Sequence, residues 1–351
     1  IDYRTFKLTI PQVTLNGQLE KNNLSLKSDI RLERQGHIST DLKLSDIAKG
    51  RKLGGSLVIS QLNLNLVNQL LSGGESVSGE VTANLNVGGD LNSPLLNGSF
   101  TVDQIKAKMK SLPFELSDGE VNLSFHGKRS TLLGYVQTPD SRLDLNGDAN
   151  WQDLNRWDSR VQVKTERFSV DIPSMAKLKI NADVSAQATP ELLRLSGEVA
   201  VPWARIAVES LPESAVSVSS DEVILDGKTD KNLTALPTKM AAKTKSGMAI
   251  ESDLKIRIGE DVNFNAYGLN SNLQGLLAVK QEKGNLGLYG QIALKNGRYA
   301  SFGQDLLIRK GEIAFSGLPS QPMLNIEAIR NPEAMENNNV VAGIKVIGLA
   351  D

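Results

Sequence analysis

The chain has 351 residues and a formal net charge of −1, from 39 Lys and Arg against 40 Asp and Glu. A near-neutral chain lacks the positive excess with which nucleic-acid-binding proteins and polybasic membrane-surface proteins engage their partners. Because the sequence has no cysteine, disulfides, thiolate metal sites and cysteine nucleophiles are excluded. No stretch approaches the about 20 consecutive apolar residues of a membrane-spanning helix.

Apolar and polar residues alternate with a period of two along nearly the whole chain, in runs separated by Gly, Pro, Asn, Asp and Ser. This pattern predicts strands with one apolar face, about two dozen if weaker runs are included. In chain order the clearest runs are 6–10, 38–44, 81–87, 121–125, 143–145, 161–163, 168–172, 178–184, 199–201, 216–218, 223–225, 254–258, 262–266, 286–288, 292–294, 306–308, 313–315, 324–328 and 344–346. The one helical turn predicted lies at 65–71, before Ser72-Gly73-Gly74.

An internal repeat is visible in two glycine-anchored segments. Gly98-Ser-Phe-Thr-Val102 leads to Gly119-Glu-Val121, and Gly290-Gln-Ile-Ala-Leu294 leads to Gly311-Glu-Ile313 with the same spacing. Each copy is interpreted as strand, turn, strand, turn and a further strand that begins at Gly-Glu. Stacking of similar units in one direction predicts an elongated sheet rather than one closed core.

The apolar face of such a sheet must be covered. A second sheet, the interior of a β-solenoid and an apolar ligand wrapped by a curved sheet are all compatible with the alternation. Aromatic residues make up only 5% of the chain, so the inward positions are mainly Leu, Ile, Val and Ala. These side chains suit acyl chains and an ordinary core equally well.

The sequence offers no catalytic or metal-binding constellation. His37 and His126 have no nucleophile or carboxylate motif around them, and Gly227-Lys228-Thr229 lacks the first glycine of a phosphate-binding loop. The expectation is therefore a protein that is not an enzyme and has no cofactor and no metal. Lys106, Lys108 and Lys110 lie on the polar side of one strand, where they either attract anionic headgroups or protect a sheet edge.

From about Leu193 onward the sequence resembles the TamB family, within the broader AsmA-like group. The strings that carry the resemblance are Leu195-Ser-Gly-Glu-Val-Ala-Val-Pro-Trp-Ala-Arg-Ile206, Leu211-Pro-Glu-Ser214, Ser219-Ser-Asp-Glu-Val223, Leu254-Lys-Ile-Arg-Ile-Gly259, Gly268-Leu269, Leu273-Gln-Gly275, Gly297-Arg-Tyr299, Gly303-Gln304, Gly311-Glu-Ile-Ala-Phe-Ser-Gly317 and Pro322-Met-Leu-Asn-Ile-Glu-Ala328. The segment Ser78–Gly98 is similar to another AsmA-type repeat unit.

The resemblance implies an all-β, elongated and strongly curved sheet, a β-taco built from repeats with very little helix. Its apolar groove would carry phospholipid between the inner and outer membranes, in the periplasm of a Gram-negative bacterium, with the outer-membrane barrel protein TamA as partner. Compared with the family pattern, the N-terminal inner-membrane anchor and the C-terminal tail through which TamA is chiefly contacted are expected to be missing. Residues 1–245 are predicted to form an AsmA-like groove region and 246–351 the start of the TamB C-terminal module.

Strand parity predicts which side chains line the groove and face the acyl chains. They are Val81, Leu85, Val87, Leu143, Leu145, Val161, Val163, Leu178, Ile180, Val199, Val201, Val216, Val218, Val223, Leu225, Leu254, Ile256, Ile258, Val262, Phe264, Leu286, Leu288, Ile292, Leu294, Leu306, Ile308, Ile313, Phe315, Leu324 and Ile326. A single bulge would exchange inward and outward positions beyond it.

Two other functions fit the same alternation. An assembly factor for outer-membrane β-barrel proteins would pair exposed strand edges with client strands, and a solenoid spacer would pack its interior fully and bind nothing. What the purified protein binds distinguishes the three functions. Bound lipid indicates lipid transfer, bound peptide indicates the assembly factor, and a stable protein that binds neither indicates the spacer.

Overall fold

The computed structural model describes residues 3–10, 13–32, 34–208, 247–282, 284–334 and 342–350. The chain divides into two compact units. Unit 1 comprises Ile1–Val163 and Gln187–Pro190, and unit 2 comprises Lys164–Ala186 and Glu191–Asp351.

Unit 1 is an antiparallel meander in which each strand pairs with the next along the chain. Its ladders run from β1–β2 through to β9–β10. The strands are β1 Tyr3–Ile10, β2 Val13–Glu20, β3 Asn23–Leu32, β4 Gly36–Ser45, β5 Lys52–Asn63, β6 Ser76–Gly89, β7 Pro94–Lys108, β8 Asp118–Gly127, β9 Arg129–Gln137 and β10 Arg142–Asp153. Consecutive antiparallel strands need only short turns, which the Gly, Asn and Asp clusters supply.

Strands β11 Arg156–Ile172 and β12 Ala176–Ala188 span the boundary between the units. Unit 2 continues with β13 Leu192–Val208, β14 Ala249–Ala266, β15 Leu269–Glu282, β16 Asn285–Ser301, β17 Gln304–Gly317, β18 Met323–Arg330 and β19 Gly343–Leu349. From β14 to β19 the pairing is again antiparallel and sequential. The predicted all-β fold with very little helix is confirmed.

The described residues form 19 strands, and the predicted runs 216–218 and 223–225 lie outside them. Several of the other predicted runs join into one strand. Runs 254–258 and 262–266 are one strand, β14, and runs 306–308 and 313–315 are one strand, β17. Each repeat copy therefore comprises two long strands, β7 with β8 and β16 with β17, and not three short ones. The glycines and polar residues between the runs form β-bulges, which bend a strand without ending it.

The predicted helical turn is present as a 3₁₀ helix at Leu64–Leu70. The side chain of Asn63 caps it by accepting a hydrogen bond from the Asn65 amide at 3.0 Å. Its apolar stripe is not buried, since Leu70 is 86% exposed. A second 3₁₀ turn lies at Pro332–Ala334, and none of the helices among the described residues has the length and hydropathy to span a membrane.

One pairing departs from the meander. Strands β13 and β14 run parallel, in register from Leu192 opposite Ala249 to Val208 opposite Ala266. The register shifts between Val201 and Trp203, at Pro202. Proline is tolerated at such a bulge because it has no backbone N–H to donate to the ladder.

Candidate functional site

The candidate site of unit 2 is the apolar face of its sheet. Cross-strand partners share a face, so the registers define rows of side chains that cross the strands. One row runs through Ile258, Gly275, Ile292, Ile313 and Leu324. Two neighbouring rows run parallel to it, namely Ile256, Leu277, Gly290 and Phe315, and then Leu254, Val279, Leu288 and Gly317.

Unit 1 carries an apolar face of the same construction. One row passes through Ile38, Ile59, Ala83, Phe100 and Leu123 from β4 to β8. The adjacent row joins Val81, Val102, Val121, Gly134 and Leu145. Strand parity therefore persists across the ladders, and every member of these rows is apolar or glycine.

Ten of the predicted groove residues lie in these rows. Val81, Val262 and Leu294 are buried. The others that the structure describes are half-buried, and none of them is exposed. Val216, Val218, Val223 and Leu225 lie outside the described residues. Contact of any of these side chains with lipid remains a prediction.

Strand β15 supplies residues that the sequence prediction missed. Leu277 is buried and lies between Ile256 and Gly290 in its row, and Val279 lies between Leu254 and Leu288. The segment Leu276-Leu277-Ala278-Val279 is apolar at four consecutive positions, so alternation alone does not indicate which side faces inward. The register of β15 with β14 and β16 shows that Leu277 and Val279 share the face of the apolar rows.

Among the described residues, the side chains of the apolar face are mostly half-buried and so keep part of their solvent-accessible area. Across β14–β19, each strand makes its substantial contacts with its neighbours in the sheet, and in unit 1 the 3₁₀ helix at Leu64–Leu70 makes its substantial contacts with β6. Side chains on one face of a sheet lose part of their solvent-accessible area to their cross-strand neighbours. This accounts for a face that is mostly half-buried rather than buried.

Glycines interrupt the rows where neighbouring backbones come close. A Cβ built on Gly290, whose φ is +127°, would lie 2.2 Å from the carbonyl oxygen of Leu276. A Cβ on Gly98, at the equivalent position of the other repeat copy with φ +128°, would lie 1.9 Å from the carbonyl oxygen of Asn84. The repeated glycine thus lies where two adjacent strands come so close that a residue with a side chain would not fit.

Charged side chains occupy the opposite face and the turns. Arg205 donates to Asp261 at 2.9 Å across β13 and β14, and this hydrogen bond lowers the pKa of the Asp261 carboxyl. Arg194 pairs with Glu251 at 3.1 Å across the same strands. Because the ions lie on the polar side, the apolar rows contain no titratable group to bind a charged ligand.

Both histidines of the chain lie in described strands, His37 in β4 and His126 in β8. His37 contacts Asp29 and lies in β4, with no nucleophile in this pair. In the part of the chain that the structure describes, no three His, Asp or Glu side chains converge to hold a metal ion.

Comparison with known proteins identifies relatives of the chain. The profile of the TamB C-terminal domain matches residues 137–351, and that of the TamB N-terminal domain matches residues 1–102. The chain is 55% identical, over all 351 of its residues, to the translocation and assembly module subunit TamB of Haemophilus influenzae. It spans 27% of that relative's length.

Proposed function

Because the chain belongs to the TamB family, we propose that its apolar face binds the acyl chains of phospholipid and forms part of a route for lipid between the inner and outer membranes. The observation that carries this proposal is the series of half-buried aliphatic rows on β13–β18. The face serves as a passive surface and performs no bond chemistry.

The physical advantage of such a face is a lower barrier to moving lipid through water. Exposing one CH₂ group of an acyl chain to water raises the free energy by about 0.8 kcal/mol. A row of aliphatic side chains replaces water along the length of the acyl chain. Further rows on neighbouring strands allow the acyl chain to advance without exposure to water. Leu, Ile and Val form no directional contacts, so they hold acyl chains without trapping them at one position.

The wider assignment rests on the relative's name. That relative is a subunit of a translocation and assembly module, and we extend to this chain a place in the periplasm of a Gram-negative bacterium. The full-length protein would be anchored in the inner membrane and would act with the outer-membrane barrel protein TamA.

The test compares two charged variants of β14. In the first, Ile256→Asp and Phe264→Arg introduce charges on the apolar face. In the second, Lys255→Asp and Asn265→Arg introduce the same side chains at adjacent exposed positions on the polar face. Native mass spectrometry with lipid extraction, on detergent-free protein, is expected to detect phospholipid bound to the wild type and to the polar-face variant but not to the apolar-face variant.

Circular dichroism must show that both variants remain folded. Equal lipid content in the two folded variants would contradict the proposal. Peptide instead of lipid on the purified chain would favour the strand-pairing assembly factor, and a stable chain that binds neither would favour the spacer.

A further inference from the structure

The ladder between β16 and β17 is interrupted at one place. Pairing stops at Ala293 opposite Glu312 and resumes at Arg298 opposite Leu307. Residues 294–297 and 308–311 therefore face each other without register pairs, although β16 stays paired with β15 and β17 with β18 along most of this stretch. Backbone amides that leave a ladder need other partners, so this opening is a place where a ligand can compete with water.

Two aliphatic side chains lie across the opening, each over a glycine of the opposite strand. A Cβ on Gly311 would lie 2.7 Å from the Cβ of Leu294, and a Cβ on Gly297 would lie 2.9 Å from the Cδ1 of Ile308. Both aliphatic residues belong to the predicted groove lining. The absence of side chains on the two glycines is what allows them to occupy the opening from the apolar side.

A cleft of about 950 Å³ lies at this opening, and cations dominate its charge. Lys295, Arg309 and Lys310 line it, together with one carboxylate, Glu312. Arg309 is 3.8 Å from Glu327. Lys295 and Lys310 are exposed, and neither forms an ion pair with any of the described residues. The cleft thus holds two ammonium groups and a guanidinium against one lining carboxylate.

We infer that this opening is a binding site for a phosphate group, held by Lys295, Arg309 and Lys310. A guanidinium offers paired donors to phosphate oxygens and an ammonium supplies a mobile point charge. The same cleft is also lined by Leu294 and Ile308 of the apolar face. Lys295 and Arg309 directly follow Leu294 and Ile308 in their strands and so point to the opposite face. The phosphate of a phospholipid whose acyl chains lie on the apolar face would therefore reach the cations through this opening in the ladder. This lipid source rests on the proposed function, whereas a soluble phosphate could occupy the cations alone.

The experiment uses isothermal titration calorimetry on the 351-residue chain with three ligands. They are dihexanoyl phosphatidylglycerol, dihexanoylglycerol, which has the same acyl chains without phosphate, and inorganic phosphate, the two lipids below the concentration at which they form micelles. The site variant is Lys295→Gln, Arg309→Gln, Lys310→Gln. The matched control is Lys27→Gln, Lys43→Gln, Arg129→Gln, which removes two ammonium groups and one guanidinium at exposed positions of β3, β4 and β9.

The site variant is expected to bind phosphatidylglycerol about tenfold more weakly or worse, because charge-assisted hydrogen bonds to the phosphate are lost. The control variant should bind it like the wild type, and all three proteins should bind dihexanoylglycerol equally. A Lys295→Gln, Lys310→Gln variant keeps the Arg309–Glu327 pair and should show a smaller loss. If both triple variants lose affinity equally, or neither does, the phosphate site is overturned.

The three ligands distinguish failure of the phosphate site from failure of the proposed lipid function. If inorganic phosphate binds through the three cations but neither lipid binds, the site stands with a soluble phosphate as its ligand, and the proposed lipid function fails. If both lipids bind equally to every variant, the lipid function stands and the phosphate site fails.

Discussion

At the scale of single residues, the glycines of the apolar rows do more than break strands. Gly54 and Gly55 are adjacent in β5, yet only one of them is conformationally required. Gly55 has φ +116°, and a Cβ there would lie 1.8 Å from the carbonyl oxygen of Asp41, whereas a Cβ on Gly54 meets nothing within 4 Å. Their roles differ although the sequence shows only a Gly-Gly pair.

This pair supports a stability prediction. Gly55→Ala should lower the free energy of unfolding by about 2 kcal/mol or more, because it combines an unfavourable φ with a backbone clash. Gly54→Ala should raise it by about 0.4–1 kcal/mol, since it meets neither obstacle and restricts the unfolded chain. Urea denaturation of both variants is the measurement. Equal destabilisation would show that the close approach of β4 and β5 is not rigid.

A second residue-scale prediction concerns acid. Arg298 donates two hydrogen bonds to Asp305, at 2.9 Å and 2.8 Å, and lowers the pKa of that carboxyl below its ordinary 3.8. The stabilisation from this pair is therefore complete above the unfolded pKa and is lost as the pH falls through the lower folded pKa.

Asp305→Asn should lower the urea midpoint near neutral pH and lower it progressively less in acid. The comparison runs from about pH 6 to about pH 2. Because the pair is partly exposed, added salt should reduce the difference at neutral pH. A difference between the two proteins that does not change with pH would mean that Asn331, which also hydrogen-bonds Asp305, accounts for the effect instead of the charge.

At the scale of elements, bulges keep the long strands apolar on one side. In β14 the register shifts between Ile258 and Asn263, and Glu260 there has φ +78°. Residues before and after the shift, including Ile256 and Val262, still occupy the apolar face. The sequence predicted both runs correctly because each was identified by its own alternation, but it could not show that the polar residues between them bend one strand.

Because of this bulge, substitution by glycine should have opposite effects on stability at two positions of β14. Glu260→Gly should stabilise the chain by about 1 kcal/mol, because it relieves a positive φ in a residue that has a Cβ. Lys255→Gly, at an exposed position of the same strand that adopts no positive φ, should destabilise it by about 0.5–1 kcal/mol. Thermal unfolding of the two variants tests the sign. Destabilisation by both would show that the bulge side chain makes a contact worth more than the strain.

At the scale of the whole chain, the alternation was sufficient to predict an all-β fold. The alternation was not sufficient to predict features that depend on how one strand pairs with its neighbours. The consecutive apolar residues of β15 gave no parity, and the opening between β16 and β17 depends on register, which no single segment encodes. The cations of that opening, Lys295 and Lys310, lie 15 positions apart in the sequence, and only the hairpin brings them together.

The parallel pairing of β13 with β14 has a consequence for how the chain folds. Sequential hairpins form from contacts that are close in sequence, so β14–β18 can assemble rapidly and independently. The parallel pair must instead bring together two strands that are separated in sequence by residues 209–248, which costs chain entropy before any contact forms. Pulse-labelling hydrogen exchange during refolding should therefore protect the amides of β15–β17 before those of β13. Simultaneous protection would mean that β13 and β14 already lie close together in the unfolded ensemble.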